Sequence, residues 1–301
     1  MTHVPTAEPE PVVLWTSGGY ELAEGARWID DRLVYVDILT GRLFETSGTQ
    51  PEAARLLAQV DAPLGAVAAV AGGSEEWIVA AGTGIAILDA TGRLRWVDRP
   101  EDHATVLMRM NDGACDPHGR FWAGSMAYDN TPGVASLYRV DVDGTVTRVL
   151  DGMTIVNGPA FDPDGSGMYV TDSAAGRIYH CSIDVPSGDI TEQHVFAAIP
   201  SSQGTPDGMT LDDAGRLWVA MWNGFAVRCY NPDGSLHDVV NLRCPQPTSV
   251  CIGGSTGDRL FVTTARHGLQ EPTPRSGAIL STIIDATAPP AAAFGHPTTP
   301  Q

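Results

Sequence analysis

One short string recurs six times along the chain, and that recurrence limits what the chain can become. Leu33-Val34-Tyr35-Val36-Asp37, Trp77-Ile78-Val79-Ala80-Ala81, Phe121-Trp122-Ala123-Gly124-Ser125, Met168-Tyr169-Val170-Thr171-Asp172, Leu217-Trp218-Val219-Ala220-Met221 and Leu260-Phe261-Val262-Thr263-Thr264 share one pattern. Each places apolar or aromatic residues ahead of small or polar ones. Their first residues are separated by 44, 44, 47, 49 and 43 positions. A period of roughly 40–50 residues is the length of a four-stranded propeller blade. Six units predict an all-β, six-bladed β-propeller, a single domain over residues 1–301. Two separate sandwiches would leave the single period without a cause.

The punctuation between the strings agrees. Asp116-Pro117-His118-Gly119, Asp162-Pro163-Asp164-Gly165 and Asn231-Pro232-Asp233-Gly234 are turn sequences, and no sustained 3.6-residue apolar period appears. A closed ring needs both chain ends in one blade. Val12-Val13-Leu14-Trp15 is therefore expected to pair near Gly277-Ala278-Ile279-Leu280, removing an open sheet edge. Residues 1–11 and about 286–301 are expected as irregular surface segments, the latter because of its biased Ala288-Pro289-Pro290-Ala291 composition.

Composition enters as a set of exclusions. The formal charge is −18, and all 18 cationic side chains are arginine. With no lysine, Schiff-base chemistry, Ser-Lys pairs and the Walker lysine are absent. The acidic balance argues against nucleic acid and anionic membrane as partners, both of which need a basic footprint. No apolar run approaches the ~20 residues of a membrane helix. Cys115, Cys181, Cys229, Cys244 and Cys251 form no CxxC pair, and an odd count of five suits a reducing compartment. No signal-peptide pattern is visible at Met1-Thr2-His3-Val4, so a cytoplasmic location is expected.

About ten residues before each string, the chain should enter the inner strand of its blade. Four of those points carry a polar residue in a tight glycine context: Glu24 in Glu24-Gly25, Asn111 in Asn111-Asp112-Gly113, Asn157 in Asn157-Gly158-Pro159 and Asp207 in Pro206-Asp207-Gly208. They precede their strings by 9, 10, 11 and 10 residues; the other two blades offer Ala66-Val67 and Thr248-Ser249. Equivalent blade positions lie on one ring, so these side chains should converge at a single mouth. Any one alone reads as a turn residue. Together they crowd carboxylates and amide oxygens, which favours a hard divalent cation.

This is where the sequence resembles a known family, the SMP-30/gluconolactonase/luciferin-regenerating-enzyme (regucalcin-like) family, over essentially the whole chain from about Val12. The most specific piece runs from Arg109-Met110-Asn111-Asp112-Gly113 through Asp116, Gly119-Arg120-Phe121-Trp122 and Gly124-Ser125-Met126. It looks like the family signature, R-x-N-D-G-x-x-D-x-x-G-R followed by two aromatics. Glu24-Gly25-Ala26-Arg27-Trp28, Val156-Asn157-Gly158-Pro159 and Pro206-Asp207-Gly208-Met209 fit the other family motifs. The resemblance implies Glu24, Asn157 and Asp207 as metal ligands, with Arg109 and Asn111 holding substrate oxygens. Asp129 falls where many members carry a glutamate that contacts substrate hydroxyls, although here it is one methylene shorter and preceded by Tyr128.

By that resemblance the expected activity is hydrolysis of an aldonolactone, with one divalent ion as cofactor. Calcium suits the ligands best; zinc, manganese, magnesium and iron are alternatives. Asp207, Arg109 and Asn111 form the expected catalytic set, with either Asp207 or the metal activating the water. Other readings of the same site are hydrolysis of a different cyclic ester or an organophosphate, and a non-catalytic calcium-binding propeller. Competing motifs do poorly: Gly253-Gly254-Ser255-Thr256-Gly257 precedes a strand, not a strand-to-helix elbow. Asp141-Val142-Asp143-Gly144 lacks the EF-hand glutamate, since Gly152 stands at the twelfth place. His103 and His267 read as loop histidines. A small-molecule lactone is the expected partner, and a closed ring points to a monomer or weak homo-oligomer.

Overall fold

The computed structural model describes residues 11–47, 49–51, 53–72 and 75–295. It is an all-β, six-bladed propeller in which every blade is a four-stranded antiparallel sheet. All six repeated strings fall on the second strand of a blade, at Arg32–Asp37, Trp77–Ala81, Phe121–Ala127, Gly167–Asp172, Leu217–Trp222 and Arg259–Thr264. The inner strands, Ala23–Ile29, Leu64–Ala69, Met108–Cys115, Val156–Phe161, Thr205–Leu211 and Pro247–Gly253, line the central channel and abut their neighbours around the ring. Inner and second strands are buried almost throughout, because each blade packs both faces against the next. Outer strands such as Leu94–Asp98 and Asp189–Ala198 are largely exposed.

The Pro- and Gly-containing turns work as their chemistry dictates. Gly119, Gly165 and Gly234 adopt φ of 79°, 73° and 81° and donate their N–H to the carbonyl oxygens of Asp116, Asp162 and Asn231. Asp141 and Gly144 close a hairpin in the same manner. Asp116 and Asp212 do more than start a turn. Each takes backbone N–H groups from its own turn and the indole N–H of the tryptophan six residues on, Trp122 at 3.1 Å and Trp218 at 2.9 Å.

Ring closure follows the expected pairing. Val13–Thr16 forms the outermost strand of the last blade, with Val13 opposite Ser281 and Leu14 opposite Leu280. Trp15 fills a bulge in that strand and meets Phe261 edge-on at 5.1 Å, while Trp28 of the first blade stacks on the other side of Phe261 at 5.7 Å. One aromatic cluster thus joins the two ends of the ring.

The closing segment crosses the far end of the channel. Asp213 donates its N–H to Thr287, Ala291 to Trp28 and Phe294 to Ala69, and Gly295 donates to Gly119. These contacts touch four different blades. Phe294 is buried at 9% exposure among the apolar residues of the second and third blades. A cavity of about 590 Å3 lies between residues 289–292 and inner-strand residues including Trp28, Ala114, Phe161 and Ile252. Of the expected end segments, 1–11 and about 286–301, residues 1–10 and 296–301 lie outside the described residues. Among the described residues no helix is long and apolar enough to cross a membrane.

Candidate metal centre

Every inner strand carries one extra residue at the same place. Glu24 and Arg27 are three apart but face Val36 and Val34, which are two apart. The same one-residue excess occurs between Leu64 and Ala66, Met110 and Gly113, Asn157 and Ala160, Pro206 and Met209, and Pro247 and Val250. A β-bulge bends the strand and re-aims its side chains. Six bulges at one level therefore build the ring, and Glu24, Asn111, Asn157 and Asp207 all lie within or beside them. Gly25 and Gly158 adopt φ of 59° and 81° there, a region open to glycine without penalty.

The remaining two blades show why they carry no candidate ligand. Thr248 donates to the carbonyl oxygen of Ala23 at 2.5 Å, and Ser249 accepts the N–H of Ala26 at 3.2 Å, so the sixth blade uses its polar residues to hold the first. In the second blade Gly65 lies directly against the strand of Asn111. A Cβ at Gly65 would overlap the Asn111 carbonyl oxygen. Neither backbone can yield without moving the ring, so Gly65→Ala is expected to destabilise the fold by about 1–3 kcal/mol, as overpacking does. Its loss should appear as a lower melting temperature together with weaker substrate binding. A variant as stable as the parent would show that the strands have slack.

A relay of amides links the ring. Arg109 donates to Asn111 Oδ1 at 2.7 Å, Asn111 Nδ2 donates to Asn157 Oδ1 at 2.8 Å, and Asn157 Nδ2 donates to Ser173 Oγ at 2.8 Å. Asn111 Nδ2 also reaches the carbonyl oxygen of Val156 at 2.9 Å. This chain orients both amides, with Asn157 Oδ1 facing Asn111 and Asn157 Nδ2 facing Ser173. Ser173 was missed in the sequence; it stands two residues beyond Thr171, just past a repeated string, with nothing local to mark it.

The carboxylates are held in an environment that resists their charge. Glu24 is 4% exposed and its Oε2 takes the Gly25 N–H at 2.7 Å. Burial, then the charge of Asp112, push its carboxyl up to about 8. Asp207 is buried too, and burial, followed by the charges of Glu24 and Asp112, raises its carboxyl far above the usual carboxylate range. Arg109 opposes both, while its own burial lowers the guanidinium. Asp112, whose burial also raises it, was missed as a member of this group: in the sequence it reads as the middle of an Asn-Asp-Gly turn.

Asp129 stands apart from this buried group. It is exposed in the turn after Phe121–Ala127, where its Oδ1 accepts the N–H and hydroxyl of Thr131 at 3.0 and 2.7 Å. Those hydrogen bonds hold its carboxyl below the usual range. Tyr128 beside it is exposed and faces the charge of Arg109. His267 is a rim residue whose Nδ1 lies 3.3 Å from Glu21, and His103 is exposed in a turn.

Among the described residues no group of three His, Cys, Asp or Glu side chains is arranged to hold a metal. The candidate set is instead two carboxylates, Glu24 and Asp207, completed by the amide oxygen of Asn157. Two buried like charges with few hydrogen-bond donors fit a divalent cation, and an all-oxygen set fits a hard one.

Residues 22–266 match the model of the SMP-30/gluconolactonase/LRE-like region. The chain is 36% identical over 250 residues to the pentonolactonase XacC of Haloferax volcanii, covering 81% of each chain. It is 33% identical over 264 residues to the L-arabinolactonase of Azospirillum brasilense, covering 83% of each. A crystal structure described as a calcium-binding protein, regucalcin, from Agrobacterium tumefaciens superposes with a TM-score of 0.86 at 25% identity, over 95% of this chain and 98% of that one. A propeller with six aligned bulges, matched over most of its length by these proteins, belongs to the SMP-30/gluconolactonase/LRE-like family.

Proposed function

We propose that this chain hydrolyses sugar lactones, aldonolactones in particular, at a divalent-metal site held by Glu24, Asn157 and Asp207. The observation that carries this reading is the meeting of two buried carboxylates with an oriented Arg109–Asn111–Asn157 relay. Relatives named for pentonolactone and L-arabinolactone hydrolysis support the substrate class. Calcium is the ion we assign, since oxygen-only ligands suit it.

When bound, the cation supplies Lewis-acid polarisation of the lactone carbonyl. Arg109 holds the substrate: one nitrogen is fixed by Asn111 and the Met110 carbonyl oxygen, and its remaining N–H groups meet a ring hydroxyl or the carbonyl oxygen. Asn111 keeps that guanidinium in place; both of its N–H groups are given to Asn157 and Val156, so its Oδ1 is the atom that meets a substrate hydroxyl. Asp207 takes the proton of the attacking water and returns it to the ring oxygen as the lactone C–O bond opens, leaving the hydroxy acid. Asp129, whose Oδ1 is shared with Thr131, offers Oδ2 to a substrate hydroxyl at the rim. Five buried, free cysteines suit work in the cytoplasm, and a ring whose ends are paired suits a monomer.

A panel of five- and six-membered aldonolactones, followed by acid release with and without chelator, tests the reading. Turnover that vanishes with chelator is expected; none on any lactone, despite stoichiometric metal, would overturn it. Calcium should also stabilise the chain. At a hundredfold excess over its Kd the gain is about 2.7 kcal/mol, read as a melting point several degrees higher than in chelator. An identical melting point in both buffers would count against a preformed site.

A further inference from the structure

A polar clamp lies directly beneath the candidate metal centre. Asp112 is 2% exposed, and neither of its carboxylate oxygens is spare. Oδ1 accepts the Gly113 N–H at 2.7 Å and the Arg27 guanidinium at 3.3 Å, while Oδ2 accepts the Gly158 N–H at 3.0 Å. Arg27 donates onward to the carbonyl oxygens of Gly113 at 2.6 Å and Ala26 at 2.8 Å. Three inner strands are tied by these bonds, and each carries a residue of the site nearby: Glu24 two positions before Ala26, Asn111 next to Asp112, and Asn157 next to Gly158.

A buried ion pair is a poor source of stability, because neutral residues of similar volume often replace it without loss. Its place here calls for another reason, and the bulges supply one. A bulge leaves backbone groups outside the ladder, and in the fourth blade the Gly158 N–H finds its acceptor in Asp112 of the adjoining third blade. Glycine at φ 81° has wide freedom to turn. Without that acceptor the peptide joining Asn157 to Gly158 is free to rotate, and the Asn157 side chain moves with it.

We propose that Asp112, steadied by Arg27, is a positioning residue that fixes Asn157 relative to Glu24 so that the two can share one cation. This rests on the metal site assigned above. The task is geometric: Asp112 supplies an acceptor to Gly158 and need not touch the ion or the substrate.

Two neutral double variants separate the acceptor from the charge. Arg27→Met/Asp112→Asn keeps an amide oxygen for Gly158, whereas Arg27→Met/Asp112→Val keeps none. Calcium chloride is titrated calorimetrically into the chelator-treated full chain of each, and metal-free melting is recorded alongside. The Asn variant is expected to bind calcium within about threefold of the parent. The Val variant should bind about 10–100-fold more weakly, the usual effect of losing an outer partner of a ligand, while melting within a few degrees of the Asn variant. Equal affinities in the two variants would overturn the proposal. So would a Val variant that cannot fold, since the clamp would then serve the fold itself. A parent chain that takes up no calcium, manganese or zinc would remove the metal site, which is a distinct failure.

Discussion

Asp207→Asn is expected to lower kcat/KM for an aldonolactone by at least about a thousandfold, equivalent to roughly 4 kcal/mol of transition-state stabilisation. The substitution preserves size and most hydrogen-bonding capacity, so what it removes is the negative charge and the basic oxygen. Calcium affinity should fall in the same variant, because one of only two carboxylates in the set becomes neutral. Metal-free stability should move the other way. Asp207 is buried, raised by desolvation and by the charges of Glu24 and Asp112, with Arg109 as the opposing cation and the Gly208 N–H as a donor. An amide there relieves repulsion that the metal-free chain otherwise carries, and the variant should melt above the parent in chelator. Three measurements decide the matter: steady-state turnover, calcium titration and melting without metal. Parent-like turnover by the variant would remove Asp207 from the mechanism. Lost turnover with unchanged calcium binding would keep it as the base and strike it from the ligands.

Trp122→Ala should destabilise the fold by about 3–5 kcal/mol, the range for deleting a large buried aromatic. Trp122 is fully buried, meets Phe161 at 5.6 Å, lies beneath the Arg139 guanidinium at 5.9 Å, and donates to Asp116 at 3.1 Å. Trp122→Phe keeps most of the contact surface but leaves Asp116 one donor short, and should cost about 1 kcal/mol. Calcium affinity per folded molecule is expected to be unchanged in both, since the indole lies on the second strand and the ring on the first. Denaturant unfolding with calcium titration would check this. A Trp122→Ala chain as stable as the parent would mean the core repacks freely.

That contrast divides the signature around residues 109–126 into two jobs. Asn111 and Asp112 make hydrogen bonds between inner strands at the proposed site, with Arg109 bonded to Asn111, whereas Asp116, Gly119, Arg120 and Trp122 build a turn and anchor it. The fifth blade combines the same two elements, with Asp207 on its inner strand and Asp212, Gly215, Arg216 and Trp218 in the turn that follows. Similarity along one stretch of chain therefore mixes chemistry with architecture, and only the partners of each side chain separate them.

The propeller was legible because a blade is a local unit. Its four strands and their turns are encoded within about 45 residues, and repetition makes the pattern visible six times. Closure by Val13–Thr16 was legible for the same reason that any sheet edge is: an unpaired apolar strand needs a partner. Glu24, Asn111, Asn157 and Asp207 stood out because equivalent blade positions share a level in the channel. The crossing of residues 287–295 over the far end was not legible as a tie between blades, since short Ala- and Pro-rich segments carry no period and Phe294 gains its burial from residues far away in sequence.

By itself, then, the sequence determined the number of blades, the seam of the ring and the recurrence of polar residues at one place in four inner strands, the first and last because they repeat with a fixed period. Tertiary structure alone decided the rest. Ser173 became the partner of Asn157, Asp112 and Arg27 became a clamp, Gly65 became a point of contact, and Asp129 was left exposed on its own turn. Apart from Asp129, which its own turn holds, each of those outcomes depends on a distance between strands, set by packing around the channel, and no local pattern in a chain records such a distance.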